Sequence, residues 1–293
     1  MNVMMKTKVF LALFLGMVLQ ACAITVSSDS KDAIVPSKNY ITQKVKVDNF
    51  EGISTSSSID VKYTQTNGST DVEIYAPDNL MEFVKLEVEG GMLKIYFYSE
   101  ETGKGINIKG KHDTEVRISA PAVHALQASS SGDILLMNGL QYDGEVSINS
   151  SSSGDIKGGN ILCKALETGA SSSGDIELES VECTSLVTEA SSAGDISIGD
   201  VKAETVSVKA SSSGDVFLAG VCRSAKFESS SAGDIEADEL KAEHVIAKAS
   251  SAGDITCHAI ESLEVSISSA GNVSYKGNPK QIKSHSKGLK KMD

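Results

Sequence analysis

Ser191-Ser192-Ala193-Gly194-Asp195-Ile196 is one of eight copies of a single hexapeptide, and the spacing of the copies decides the fold. The others begin at Ser129, Ser151, Ser171, Ser211, Ser230, Ser250 and Ser268. Their glycines, from Gly132 to Gly271, are separated by 22, 20, 20, 20, 19, 20 and 18 residues. A sustained period near 20 means a solenoid in which each repeat is one coil.

Between copies the hydrophobic pattern is that of strands. After Gly194 the apolar positions are Ile196, Ile198, Val201, Ala203, Val206, Val208 and Ala210. Steps of two mean a strand with alternate side chains facing one way. The steps of three reset that parity, as a bend would. Three short strands per coil, stacked about 4.8 Å apart, predict an all-β fold, a right-handed parallel β-helix. Twenty residues cannot hold two helices and two turns. The asparagine-centred pattern of leucine-rich repeats is missing.

Asp133, Asp155, Asp175, Asp195, Asp215, Asp234 and Asp254 each precede an inward Ile or Val, so they should point outward in one vertical file that ends in Asn272. Like charges at that spacing cost about 1 kcal/mol per pair even in water. Two things can relieve them. The reading adopted is turn chemistry, with hydroxyls or N–H groups of a neighbouring coil as donors; the alternative is a ladder of bound calcium. The nine-residue glycine-rich repeat of calcium-binding β-rolls is absent. Gly194 is expected to sit at the corner, where glycine tolerates both positive φ and close backbone approach.

Around the repeats the chain divides into expected segments. Residues 1–21 read as a lipoprotein signal peptide: Lys6 and Lys8 precede an apolar run too short to span a bilayer. Leu19-Gln20-Ala21-Cys22 resembles the cleavage box of bacterial lipoproteins, which makes Cys22 the lipid attachment site. Residues 22–40 are a polar tether. Residues 41–128 are β-rich without the period and carry seven of the fourteen aromatics, so they should form irregular structure capping the solenoid's N-terminal edge. The repeats occupy 129–279, and 280–293 form a basic, solvated tail.

Composition narrows function. The net charge is −12 and Arg occurs only at Arg117 and Arg223, which argues against nucleic acid as a partner. Cys163 and Cys183 lie 20 apart and should stack as free core thiols, with Cys222 and Cys257 at other coil positions. No Cys-x-x-Cys and no short histidine pair exists, so neither a metal site nor a cofactor is expected. No nucleophile elbow or phosphate loop is present.

The lead-in Val61-Lys62-Tyr63-Thr64-Gln65, the phrase Gly105-Ile106-Asn107 and the Ser-rich Gly-Asp-Ile repeats resemble the family called putative auto-transporter adhesin, head GIN domain, over roughly 45–279. The resemblance implies a β-helical cell-envelope protein, often a lipoprotein, with no catalytic residues to carry over. The reading is a non-enzymatic, adhesin-like lipoprotein of the outer membrane. Its partners would be the membrane, through the lipid, and an extracellular glycan or protein. The alternatives are a carbohydrate-active β-helix enzyme and a periplasmic scaffold. An enzyme would have to use Asp143 and Glu145 near Tyr142-Asp143-Gly144, where the first repeat is longest.

Overall fold

The computed structural model describes residues 33–284 and 287–293, so the signal segment and Cys22 lie outside the described residues. The N-terminal part holds β1 (Tyr40–Val45), β2 (Gly52–Thr55), β3 (Asp60–Gln65), β4 (Asp71–Pro77), β5 (Val84–Glu89), β6 (Met92–Phe97) and β7 (Glu115–Ala120). The repeats begin with β8 (Ala125–Ala128), β9 (Ile134–Leu136), β10 (Leu140–Gln141), β11 (Glu145–Ser151), β12 (Ile156–Leu162) and β13 (Ala165–Ser171). Then whole coils run as single bent strands: β14 (Ile176–Ser191), β15 (Ile196–Ser211), β16 (Val216–Ser230), β17 (Ile235–Ala249) and β18 (Asp254–Ile267). The chain closes with β19 (Asn272–Lys276), β20 (Gln281–Ser284) and β21 (Leu289–Lys291).

Successive coils pair in parallel. Ile176 lies on Ile196, Val181 on Val201 and Leu186 on Val206, one pair on each of three faces. In β15 the residues Ile196, Ile198, Val201, Val206, Val208 and Ala210 are buried, with Ala203 half-buried. The fold is the expected parallel β-helix. Each fully buried Val or Ile contributes roughly 1.5–3 kcal/mol, and the core is one continuous column along the axis. Volume is conserved within it. Phe227 takes the place of Val208, while Ala225 replaces Val206 below it and Ala247 lies above.

The corner differs from expectation. Gly194 does not carry the positive φ; Ser192 (φ 54) and Ala193 (φ 62) do, as do the matching pairs from Ser130-Ser131 to Ser231-Ala232, while the last two coils have only Ser251 and Ser269 in that region. Of the two reasons for glycine, the close backbone approach is the one that applies. A Cβ on Gly194 would lie 2.4 Å from the Ser171 amide nitrogen and 2.7 Å from the Ala170 carbonyl carbon, in the corner beneath.

The N-terminal half is more regular than its sequence. Ser57 and Ser58 also have positive φ, and β2 and β3 pair in parallel with β8 and β9. They form a true coil. The chain then descends, laying β6 under β2 and β7 under β3, before it climbs past them to β8. Below these lie antiparallel strands, β5 on β6, β4 on β7 and β1 on β4. Tyr63 is fully buried in this coil, and its hydroxyl donates to the Pro121 carbonyl at 2.7 Å. The expected solvated tail is also folded: β20 pairs with β18, and β21 with β19.

Candidate functional site

Two edges of the three-sided solenoid concern function. On the first edge stands the aspartate file. Each Asp amide donates to the Oδ1 of the aspartate one coil earlier: Asp155 to Asp133 (2.8 Å), Asp175 to Asp155 (3.1 Å), Asp195 to Asp175 (2.9 Å), and Asp215 to Asp195 (2.9 Å). Asp234, Asp254 and Asn272 continue upward at 2.9, 3.0 and 3.1 Å. The Asn272 amide group adds a second bond to Asp254 Oδ1 at 2.9 Å. The inter-coil repulsion is thus offset by one N–H per carboxylate.

The file begins one coil earlier than the repeats suggest. Asp133 N donates to Asp60 Oδ1 at 3.2 Å. Asp60 follows Ser57-Ser58-Ile59, a copy of the hexapeptide with Ile in the glycine slot. Burial raises the carboxyl pKa of both Asp60 and Asp133, most directly by desolvation and further by neighbouring acids. Among the described residues no group of three or more His, Cys, Asp or Glu is arranged to hold a metal ion.

The second edge is where coils differ in length. Leu136 pairs with Gly158, Leu140 with Ile161 and Glu145 with Ala165, offsets of 22, 21 and 20. One of the two extra residues is therefore at Met137–Gly139 and only the other at Tyr142–Gly144. The shortened coil makes its step at the same edge, between Ile198 and Val201. That step carries Cys222 onto Ala203, which lies on Cys183, so Cys222 belongs to the Cys163–Cys183 file after all. Cys163, Cys183, Cys222 and Cys257 are free and buried. Burial pushes their thiols up, to about 11 for Cys183 and about 12 for the rest.

The bulge at Met137–Gly139 is firmly held. Asn138 Oδ1 accepts from Gln65 N at 2.9 Å and its amide group donates to Gln65 O at 3.0 Å. Gln65 in turn bridges to the Gln141 backbone at 2.9 and 2.7 Å. Above the bulge the next coil carries Gly158-Gly159, where side chains would fill the step. The result is an open depression of about 420 Å³. Leu135 and Met137 stand exposed at one side, with Lys157, Asn160, Glu177 and Glu179 at the other. Lys157 pairs with Glu177 at 3.3 Å. Asp143 and Glu145 do not line it; Asp143 pairs with Lys164 at 2.8 Å. Sequence spacing locates the longer coil but not the bulge, because one count covers two separate single-residue insertions.

Ion pairs such as Lys202–Glu182 (3.0 Å) and Lys209–Glu189 (2.6 Å) tie neighbouring coils along the wall. Residues 125–275 nonetheless hold 8 Lys and Arg against 23 Asp and Glu, a net charge of −15. No helix among the described residues is long and apolar enough to cross a membrane.

Comparison with known proteins bears on both edges. The model of the family described as putative auto-transporter adhesin, head GIN domain, matches residues 49–181 and 170–279, which takes in the aspartate file and the depression. No curated protein matches the chain. A protein of Parabacteroides merdae described as a putative adhesin superposes with a TM-score of 0.67 at 20% identity, over 89% of this chain and 100% of that one. A Parabacteroides distasonis protein described as a putative lipid binding protein gives 0.64 at 21%, over 89% and 100%. Another from that species, described as a putative adhesin, gives 0.66 at 20%, over 89% and 99%. At these identities the likeness shows the fold.

Proposed function

The chain belongs to the head GIN domain family of auto-transporter adhesin type, and on that premise we propose that it is a lipid-anchored, non-enzymatic adhesin of the outer membrane that binds an uncharged glycan at the variable edge. The observation that carries this reading is the bulge at Met137–Gly139 facing Gly158-Gly159, a break in a uniform wall. Connections that depart from a rigid scaffold are where binding concentrates. Leu135 and Met137 offer apolar surface to the C–H face of a sugar ring. Asn160, Glu179 and the bare Gly158-Gly159 backbone offer partners for hydroxyls. The acidic wall repels anionic chains. Cys22 supplies the anchor.

The test is a glycan array probed with the full chain and with Gly159→Trp, which fills the depression. Neutral glycans bound by the first and lost by the second, at unchanged melting temperature, support the reading. Binding that survives the substitution would move the site elsewhere. A protein ligand would appear as binding to cells stripped of glycan. Protease accessibility on intact cells separates an outward-facing adhesin from a periplasmic scaffold.

A further inference from the structure

The charge of this protein is divided along its axis. Residues 276–293 carry six lysines against the single Asp293, a net charge of +5 that follows a wall of −15. In a solvated tail these lysines would be a loose cloud. Here β20 and β21 pin them to the rim of the last coil. Lys280 and Lys283 are held by Glu261 (2.6 Å) and Glu264 (3.3 Å), and Lys276 by Asp238 (2.7 Å). Lys291 donates to Asn278 at 2.7 Å. Lys287 and Lys290 have no ion-pair partner among the described residues and are exposed. With Asp238 and Glu239, which both hold Lys276, residues 250–293 count six lysines against six acids, and the lysines not taken up in ion pairs among the described residues, Lys287, Lys290 and Lys291, carry the positive charge of the rim. Surface charges more than about 8 Å from these lysines are largely screened at physiological salt.

We propose that this C-terminal rim docks on a phosphate-bearing lipid surface. The rim is the last layer of the stack, so Lys287 and Lys290 can meet an anionic surface together, and Ile282 is exposed on the same layer. Eight coil steps of about 4.8 Å separate Asp60 from Asn272, so the rim stands roughly 38 Å from the first coil. The flanks are acidic and turn away from such a surface, so the rod approaches it end-on.

The experiment is vesicle co-sedimentation of the full chain carrying Cys22→Ser, which excludes insertion by a lipid. Phosphatidylglycerol-containing vesicles are compared with pure phosphatidylcholine at low and high salt. The expected result is at least about tenfold stronger binding to the anionic vesicles, abolished by high salt. Lys287→Glu/Lys290→Glu should remove it, and Lys287→Gln/Lys290→Gln should weaken it, with melting temperatures unchanged. Lys202→Glu/Lys209→Glu on the wall should leave it intact. Equal binding to both vesicles, binding retained by Lys287→Glu/Lys290→Glu, or an equal loss from the wall variant would overturn the proposal. So would capture of poly-glutamate through the same lysines without vesicle binding, which would assign the rim to an acidic protein.

Discussion

The corners at Ile59 and Gly194 are written in the same phrase, yet one buries an isoleucine where the other admits no side chain at all. Both coils place the two preceding residues in the left-handed region. They differ in what lies beneath. Under Gly194 is another corner of the same kind, whose backbone sits where a Cβ would go. Under the first coil runs β6, which continues into Tyr98-Ser99 without a left-handed pair. The glycine thus answers to stacking rather than to the turn itself. Where stacking ends, the slot becomes a core position that helps to close the solenoid.

The sharpest way to break that comparison is Gly194→Val. The new side chain meets backbone that cannot yield, and we expect a loss of about 4 kcal/mol or failure to fold, read by chemical denaturation. A loss under about 1 kcal/mol would show that the corner beneath can move. The reciprocal substitution, Ile59→Gly, should cost about 3 kcal/mol through the cavity it leaves. If it were neutral, the slot would be a tolerated vacancy and not part of the cap.

The aspartate file sharpens the comparison at a smaller scale. Asp195→Asn keeps the acceptor for Asp215 N and should change stability by less than about 0.5 kcal/mol. Asp195→Ala removes the acceptor and should cost about 1 kcal/mol. Millimolar calcium should then leave the melting temperature of the wild type nearly unchanged. A rise of several degrees, reversed by chelator and blunted in Asp195→Asn, would reassign the file to cation binding.

The smallest effect separates the N-terminal part from the coils by pH. Burial lowers the His112 pKa; its Nδ1 has no hydrogen-bond partner among the described residues, and its ring stands edge-on to Phe97 at 5.4 Å. A histidine kept neutral in the folded state contributes stability above its unfolded pKa. That stability is lost as pH falls from about 6.5 toward the folded value. Protease nicking should therefore begin between β4 and β7 on mild acidification and be suppressed in His112→Phe. Nicking that starts within the repeats, or is identical in the variant, would count against this.

Much of this was legible in the residues. Period 20 and the two–three stepping of apolar positions are local properties of each coil, so the three-faced parallel β-helix and the seven-member aspartate file could be read directly. What escaped reading did so for identifiable reasons. Asp60 stands 73 residues before Asp133, beyond an excursion that breaks the period, and its glycine slot holds Ile59. Cys222 was placed outside the cysteine file because a one-residue step at the variable edge shifted the phase count. The strands β20 and β21 lack an alternating apolar pattern, since at the end of the stack only one side of each faces a neighbour.

The sequence by itself determined the coil: its length, its faces and its outward aspartates, because side-chain parity and turn preference act between residues close in the chain. Only the tertiary structure decided the vertical relations. Which backbone lies under Gly194, which carboxylate receives Asp215 N, and where β2 and β3 enter the stack are contacts between residues 20 to 73 apart. Such contacts depend on every intervening coil length, and a single inserted residue moves them all.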